Sequence, residues 1–409
     1  MSSLLPNLAS AEWLASRHTQ AVFAALAAAG HEGRAVGGCV RNGLMGLPVA
    51  DIDIATAALP AETIAAAKAA GMAAVPTGIE HGTITVVTEG LPFEVTTLRR
   101  DVATDGRRAV VAFSRDWAED AARRDFTMNA LYCGADGTVF DPLGGIEDLQ
   151  ARRVKFIGSP EQRIREDYLR ILRFFRFHAQ YGVGDLDKPG ALACVRLRGG
   201  LAQLSAERVG AEMLKLLAAP FAVSAIYEMF DLGLLVDVLA AAPRLQRFAR
   251  LAVLNTSPDA ALRLAALAVH VPDDAERLAA RLRLSGEQRV VLALAGPLLS
   301  QTTTDHEARV ALYRLGPEGY RRRVLIDWAG SDAALDDVNW RRLQSLPQRS
   351  PVPPLPIAGR DLLALGLSPG PTVGELLRKI ERVWIESDFS LDSKALLEAA
   401  RQDIASGAD

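Results

Sequence analysis

Gly37-Gly38-Cys39-Val40-Arg41, followed ten residues later by Asp51-Ile52-Asp53, decides how this chain is read. A glycine pair lets backbone N–H groups approach an anion closely, and the Arg41 guanidinium offers phosphate oxygens a bidentate partner. Successive side chains on a strand point to opposite faces, so Asp51 and Asp53 share one face while Ile52 and Ile54 point into a core. Each half is weak alone, since most Gly-Gly pairs are ordinary turns and a lone D-x-D is commonly a turn or cap. Together, a phosphate cradle and a pair of metal-holding carboxylates within so short a stretch outline a nucleotidyl-transfer centre.

A third acid extends the pattern. In Phe93-Glu94-Val95-Thr96-Thr97-Leu98, Phe93 and Val95 lie on one face of a strand, and Glu94 and Thr96 on the other. If this strand neighbours the first, Asp51, Asp53 and Glu94 converge. Two Mg²⁺ ions ~3.5–4 Å apart, with Asp51 and Asp53 as ligands, would then clamp an in-line phosphoryl displacement. Hard oxygen donors suit Mg²⁺, which takes few carboxylates and completes its shell with substrate phosphates.

The chain has 409 residues, which sets a prior of two to four domains. It is 49% apolar, yet no window of ~18 uninterrupted apolar residues implies a membrane span. The start, Met-Ser-Ser-Leu-Leu-Pro, lacks a basic region followed by an apolar core and cleavage site, and reads as a cytosolic start. Three scattered cysteines, Cys39, Cys133 and Cys194, with no CxxC pair, argue against a disulfide framework or a structural zinc site and fit a reducing cytoplasm.

Up to about Gly145, a helix over 11–30 and strand-like runs at 34–36, 52–54, 83–87, 93–98 and 138–140, with a helix at 60–70, predict a small mixed α/β domain. After Ile146 helical spacing recurs to the end, interrupted by the Pro-rich linker Gln348–Pro356. No fixed-period repeat is present.

The net charge of −3 argues weakly against a nucleic-acid partner, but its distribution argues otherwise. Eight Arg or Lys between Arg152 and Arg176 face three acids, a local basic strip able to bind phosphates or, equally, a solvated helix face. Within it, 162–180 (QRIREDYLRILRFFRFHAQ) predicts one helix with an apolar stripe from Ile164 to Phe175. On the opposite face Asp167 and Arg170, three residues apart, are neighbours. A carboxylate only accepts and a guanidinium only donates. The pair would therefore match cytosine and adenine, which present an amino donor beside a ring-nitrogen acceptor, and reject uracil and guanine. The plain alternative is an exposed ion pair worth ~0.3 kcal/mol. Arg173 and Arg176 are candidates for further phosphate or RNA contacts.

Taken together, these motifs resemble a known family. GGCVRN…DIDIA (37–42, 51–55) resembles the first motif of the tRNA nucleotidyltransferase/poly(A) polymerase family, in the bacterial CCA-adding type. Arg123–Leu131 resembles its second motif, Asp141–Gly145 with Asp148-Leu149 its third, and Glu166–Arg173 its fourth, the amino-acid template. Ser205-Ala206-Glu207-Arg208 with Glu212 and Lys215 resembles its fifth. The resemblance covers about residues 30–220.

The resemblance implies an α+β nucleotidyltransferase head followed by an all-α neck, body and tail. The implied ranges are 1–145 for the head, 146–220 for the neck with its template helix, 221–347 for the body, and 348–409 for the linker and tRNA-binding tail. It implies catalytic Asp51, Asp53 and Glu94, nucleotide contacts from Gly38, Arg41, Arg124 and Asn129, and base reading by Asp167 and Arg170. Arg124 and Asn129 would hold sugar and phosphates, and 99–114 corresponds to a flexible loop that helps the switch from C to A addition. The implied reaction adds C, C and A to a tRNA 3′ end from CTP and ATP with Mg²⁺. A poly(A) polymerase of the same family is the near alternative, set back by a short, non-basic tail, and a catalytically idle RNA-binding protein the remote one. One departure is Asn42, where the family commonly has Asp. No metal-phosphohydrolase His-Asp pattern is present among the six histidines.

Overall fold

The first sheet forms where apolar and polar residues alternate, and it carries the carboxylates. The computed structural model describes residues 6–104, 109–296 and 298–406. They form two compact units, Met1–Ala240 and Ala241–Asp409. The boundaries expected at 145, 220 and 347 fall inside these units.

In the first unit, helices α1 (Glu12–Ala15) and α2 (Arg17–Ala28) precede β1 (Gly33–Val36), α3 (Gly38–Leu44), β2 (Asp53–Thr56) and α4 (Pro60–Ala69). The single helix expected over 11–30 is thus two, broken at Ser16, which takes an extended ψ of 132°. Then follow β3 (Ala73–Gly78), β4 (Thr83–Thr88), β5 (Leu91–Thr97), β6 (Arg99–Thr104), β7 (Ala109–Phe113) and α5 (Trp117–Ala122). After β8 (Tyr132–Cys133) and β9 (Val139–Phe140) come α6 (Gly145–Gln150), α7 (Pro160–Glu166), α8 (Leu169–Tyr181), α9 (Lys188–Leu197), α10 (Ala206–Ala218), α11 (Ala222–Asp231) and α12 (Leu235–Leu239).

Seven strands form one mixed sheet in the order β3-β4-β5-β2-β1-β8-β9. One face packs on α2 and α4, burying Leu26, Ile54, Ile84, Val86, Phe93 and Val95. The opposite face keeps Asp53, Thr83, Thr85, Glu94 and Thr96 at least partly exposed. The expected alternation therefore holds for β5. In the first motif Ile54 is fully buried, whereas Ile52, just before the strand, is only half-buried. Within 99–114, expected as a polar loop, β6 and β7 pair antiparallel with Arg99 opposite Phe113. Residues 105–108 of that stretch lie outside the described residues.

An aromatic cluster fastens α8 to the second motif. Phe126 contacts Phe156 (centroids 4.9 Å), Phe177 (5.0 Å) and Phe174 (6.4 Å), while Phe156 and Phe174 stack at 5.3 Å. All four rings are buried.

The described residues of the second unit are helices and their connections. Trp328 and Trp340 stack at 6.2 Å, and Trp384 packs edge-on to Tyr313 at 5.5 Å, so these buried tryptophans anchor the core. Arg321 and Arg322 pair with Glu318 and Asp259, and buried Arg323 pairs with Asp327. These pairings favour a structural part for that arginine run. Among the described residues no helix is long and apolar enough to cross a membrane.

Phe174→Ala should remove the stacked centre of the aromatic cluster and cost ~3–5 kcal/mol, the range for large-to-small aromatic deletions. Urea denaturation followed by circular dichroism measures it. A midpoint equal to the wild type's would contradict the cluster's part in holding α8.

Candidate functional site

Parallel pairing of β2 with β5 places Asp53 directly opposite Glu94. Neighbouring strands run ~4.8 Å apart, so the two carboxylates project side by side from the open face. Asp51 lies in the exposed connection two residues before β2 begins. Burial raises the Asp53 carboxyl above its ordinary pKa, the negative charge of Glu94 and then that of Asp51 push the same way, and Arg124 opposes them. Asp53 thus feels the negative charge of both Glu94 and Asp51, which Arg124 offsets only in part.

This donor set fits a hard divalent cation: oxygen ligands, crowded negative charge and an open face. Among the described residues no three His, Cys, Asp or Glu side chains are arranged to hold a metal ion unaided.

On the other side of Asp53 stands the glycine turn. Gly37 has φ +73° and ψ −117°, a conformation that disfavours side chains, and α3 opens at Gly38. A Cβ on Gly37 would lie 3.5 Å from Arg124 Nη1. Arg124 is braced from behind by buried Asp120, whose Oδ2 accepts from Nη2 at 3.0 Å and from the Tyr132 hydroxyl at 2.8 Å. Its cation is thereby aimed at the space between the turn and Asp53.

Other expected nucleotide contacts are placed differently. Arg41 is only 6% exposed, and its guanidinium is taken up by protein acceptors. It donates to Asn129 Oδ1 (2.5 Å), Asn42 Oδ1 (2.9 Å) and the Tyr181 hydroxyl (2.7 Å), and lies over the Tyr181 ring at 4.1 Å. Asn129 is equally buried, with its Nδ2 donating to Asp125 Oδ1 at 2.9 Å. Arg173 donates to Asp125 Oδ2 through Nε (2.9 Å) and Nη2 (2.6 Å), and Arg176 pairs with buried Glu212 of α10. These four residues form the seam between the second motif, α3, α8 and α10. The basic strip is correspondingly compensated in large part, because Arg153, Arg163, Arg165, Arg170, Arg173 and Arg176 each pair with an acid and Arg152 donates to the Tyr181 carbonyl.

The helix expected over 162–180 is broken. α7 ends at Glu166, Asp167 is extended (φ −156°, ψ 106°), and α8 begins at Leu169. The Asp167–Arg170 ion pair therefore does not form. Asp167 accepts from the Leu169 amide (3.1 Å) and from Arg208 Nη2 (2.6 Å). Arg170 pairs with Glu166 (2.6 Å) and donates to the Arg123 carbonyl (3.1 Å). The break presents Asp167 at the mouth of α8 instead of along its flank. The adjoining Tyr168 ring packs on Gly200, where a Cβ would come within 2.0 Å of it.

Sequence reasoning named Arg208 within the fifth motif but gave it no partner, and it missed Asp120 and Asp125 as braces. The available signal was an acid directly beside arginines in Arg123-Arg124-Asp125. A buried Glu212 on the apolar side of α10 was a second one.

Known proteins resemble this arrangement. Residues 33–155 match the family model described as poly A polymerase head domain. Residues 185–246 match the one described as probable RNA and SrmB-binding site of polymerase A. The mitochondrial CCA tRNA nucleotidyltransferase 1 of Mus musculus is 35% identical over 382 residues, covering 90% of this chain and 86% of that protein. The CCA-adding enzyme of Limosilactobacillus fermentum is 34% identical over 385 residues, 91% of this chain and 93% of that protein. The crystal structure of the Bacillus stearothermophilus CCA-adding enzyme in complex with CTP superposes with a TM-score of 0.74 at 30% identity. It covers 95% of this chain and 98% of that one.

Burial pushes Asp125 up, but Arg173 and the hydrogen bonds from Asn129 and the Phe126 amide overcome this and hold it below its usual pKa. Its stabilising contribution is present above the unfolded value near ~3.9 and is lost as pH falls through the lower folded value. Arg173→Met leaves Asp125 buried without its cation and should cost ~3–5 kcal/mol at pH 7. The deficit should shrink as pH is lowered through ~4, where the orphaned carboxyl is neutralised. Urea melts of both proteins at pH 7 and pH 4 test this; a deficit independent of pH would exclude the charge pair as its cause.

Proposed function

The chain belongs to the family of CCA tRNA nucleotidyltransferases, and on that premise we propose how it restores C, C and A at tRNA 3′ ends from CTP and ATP without a nucleic-acid template. The observation that carries the assignment of residues is the register of Asp53 with Glu94 beside the Gly37 turn. Asp51 and Asp53 would hold Mg²⁺, with Glu94 completing the carboxylate face. When bound there, Mg²⁺ makes the RNA 3′-hydroxyl a better nucleophile and steadies the triphosphate.

The Gly37-Gly38 backbone and Arg124 receive the triphosphate on the β1 side of Asp53. The primer 3′-oxygen forms its bond to the α-phosphorus while the bond to the bridging oxygen breaks and pyrophosphate departs. Its proton is lost to solvent. Asp167 accepts from the amino group of cytosine or adenine, and Arg170 donates to the adjacent ring nitrogen. Arg208 and Glu166 compensate these two charges while no base is present. Arg41, Asn129, Arg173 and Arg176 set the distance between the reacting and reading ends. The four ranges given above remain the proposed head, neck, body and tail. Three free, buried thiols fit our assignment to the cytoplasm.

Incubation with tRNA lacking CCA, with CTP and ATP separately and together, tests the reading. Ordered addition of C, C and A is the expected result. A-only tailing would instead favour a poly(A) polymerase, and absence of product would overturn nucleotidyl transfer. Asp53→Asn should abolish incorporation yet melt above the wild type in metal-free buffer. A raised carboxyl pKa means that the fold disfavours the charged form at neutral pH, and the amide removes that charge. Retained incorporation would contradict the metal-holding role. Asp167→Ala and Arg170→Ala should blur the choice among CTP, ATP, UTP and GTP before they abolish chemistry, and an unchanged preference would remove the reading role.

A further inference from the structure

The open face of the sheet continues past Glu94 as a row of hydroxyl groups outside every motif assigned above except the carboxylates. Thr85 of β4 stands directly opposite Glu94, on the side away from Asp53, and Thr83 stands opposite Thr96. The hydroxyls are paired: Thr77 with Thr85 at 2.7 Å, and Thr83 with Thr96 at 3.0 Å. Strand alternation places all four on the face that bears Asp53 and Glu94, while Ile84, Val86 and Val95 go to the core. Thr77 is exposed and the other three are half-buried, so the row is open to a ligand.

Strand order assigns the two sides of the carboxylates different substrates. The Gly37 turn and Arg124 lie on the β1 side of Asp53, and the threonines lie on the β4 side of Glu94. In-line displacement requires the attacking oxygen and the departing pyrophosphate to lie on opposite sides of the α-phosphorus. With the triphosphate on the β1 side, the attacking strand must arrive over β4 and β5.

From this geometry we infer that Thr85 and Thr96, backed by Thr77 and Thr83, seat the terminal ribose of the RNA primer through its 2′-hydroxyl. The inference rests on the proposed nucleotidyl transfer. The 2′-hydroxyl adjoins the 3′-hydroxyl on the same sugar, so a nucleophile held at Glu94 carries its neighbour to the groups directly opposite and two residues along. A threonine hydroxyl donates once and accepts twice, so each pair keeps capacity for a ribose hydroxyl that also does both. The row thus makes the site specific for a ribose-ended primer and leaves nucleotide choice to the far side.

Steady-state kinetics with CTP and two primers test this: tRNA lacking CCA with an ordinary terminal ribose, and the same tRNA with a terminal 2′-deoxyribose that keeps its 3′-hydroxyl. The wild type should show a KM for the deoxy primer about tenfold higher, the loss of one good hydrogen bond. Thr85→Val and Thr96→Val keep the side-chain shape and strand preference. Each should raise the KM for the ribose primer several-fold, show a reduced further penalty with the deoxy primer, and leave the KM for CTP unchanged. Undiminished discrimination in both variants, or a rise in KM for CTP alone, would overturn the inference, as would a wild type indifferent to the 2′-hydroxyl. A merely structural role would lower kcat and the melting temperature without changing the ratio between primers, and would equally overturn it. Absence of any wild-type product would instead be the failure of the nucleotidyl-transfer reading and would take this one with it.

Discussion

Asp125 is the point on which the first unit's geometry depends. Its carboxylate is enclosed by Arg173 of α8, the Asn129 amide and the Phe126 amide, and Asn129 passes the connection on to Arg41 in the middle of α3. Arg41 closes the path by reaching the Tyr181 hydroxyl at the far end of α8. The continuous chain from the glycine turn to both ends of one helix therefore consists of charge-assisted hydrogen bonds in a buried setting. Such networks contribute little net stability against an apolar replacement, but they tolerate few alternative geometries. The aromatic cluster around Phe126 supplies the area-driven stabilisation beneath it. Apolar rings supply the affinity between α8 and the second motif, and the buried charges set its register.

This arrangement explains why so many arginines occur around a site for polyphosphate without all facing it. Arg41 Nη2 lies 3.7 Å from a Cβ placed on Gly38, and Arg124 Nη1 lies 3.5 Å from one placed on Gly37. Asp120 both orients Arg124 and holds its charge where Asp53 feels it. Arg41, Arg173 and Arg176 are occupied by protein acceptors and hold the scaffold. A residue of the right chemistry at the right spacing can thus serve either end of the same site, and only the acids around it decide which.

The carboxylate face was legible because it follows from strand alternation, a purely local property: Asp53, Glu94 and Thr96 fall where period-two spacing puts them. The pairing of β2 with β5 needed the structure, because nothing in either strand specifies its neighbour. The break at Asp167 was not legible for a different reason. Gln162–Gln180 has apolar residues at helical spacing on both sides of it, and the interruption comes from Asp167 capping the Leu169 amide and pairing with Arg208, 41 residues further along. The choice left open for the basic strip could not be made from the strip itself, since three of the acids that pair with its arginines, Asp125, Asp148 and Glu212, lie outside it in sequence. In the β6–β7 hairpin, β6 was hidden by its polar start, Arg99-Arg100-Asp101, although β7 (Ala109–Phe113) is apolar throughout, and the short β8 was hidden by its length of two residues.

Asn42 shows how a departure from the expected residue is absorbed. An aspartate there would give Arg41 a full countercharge, but a carboxylate has no hydrogen to donate. The amide uses both ends: Oδ1 accepts from Arg41 Nη2 at 2.9 Å, and Nδ2 donates to the Pro48 carbonyl at 2.8 Å. Pro48 is three residues before Asp51, so this bond fixes the path of the connection that delivers the exposed carboxylate to Asp53. Arg41 loses little by the exchange, because Asn129, Tyr181 and the Tyr181 ring already surround its guanidinium. In this chain the neutral side chain gives up part of one ion pair and in return anchors the segment that carries Asp51.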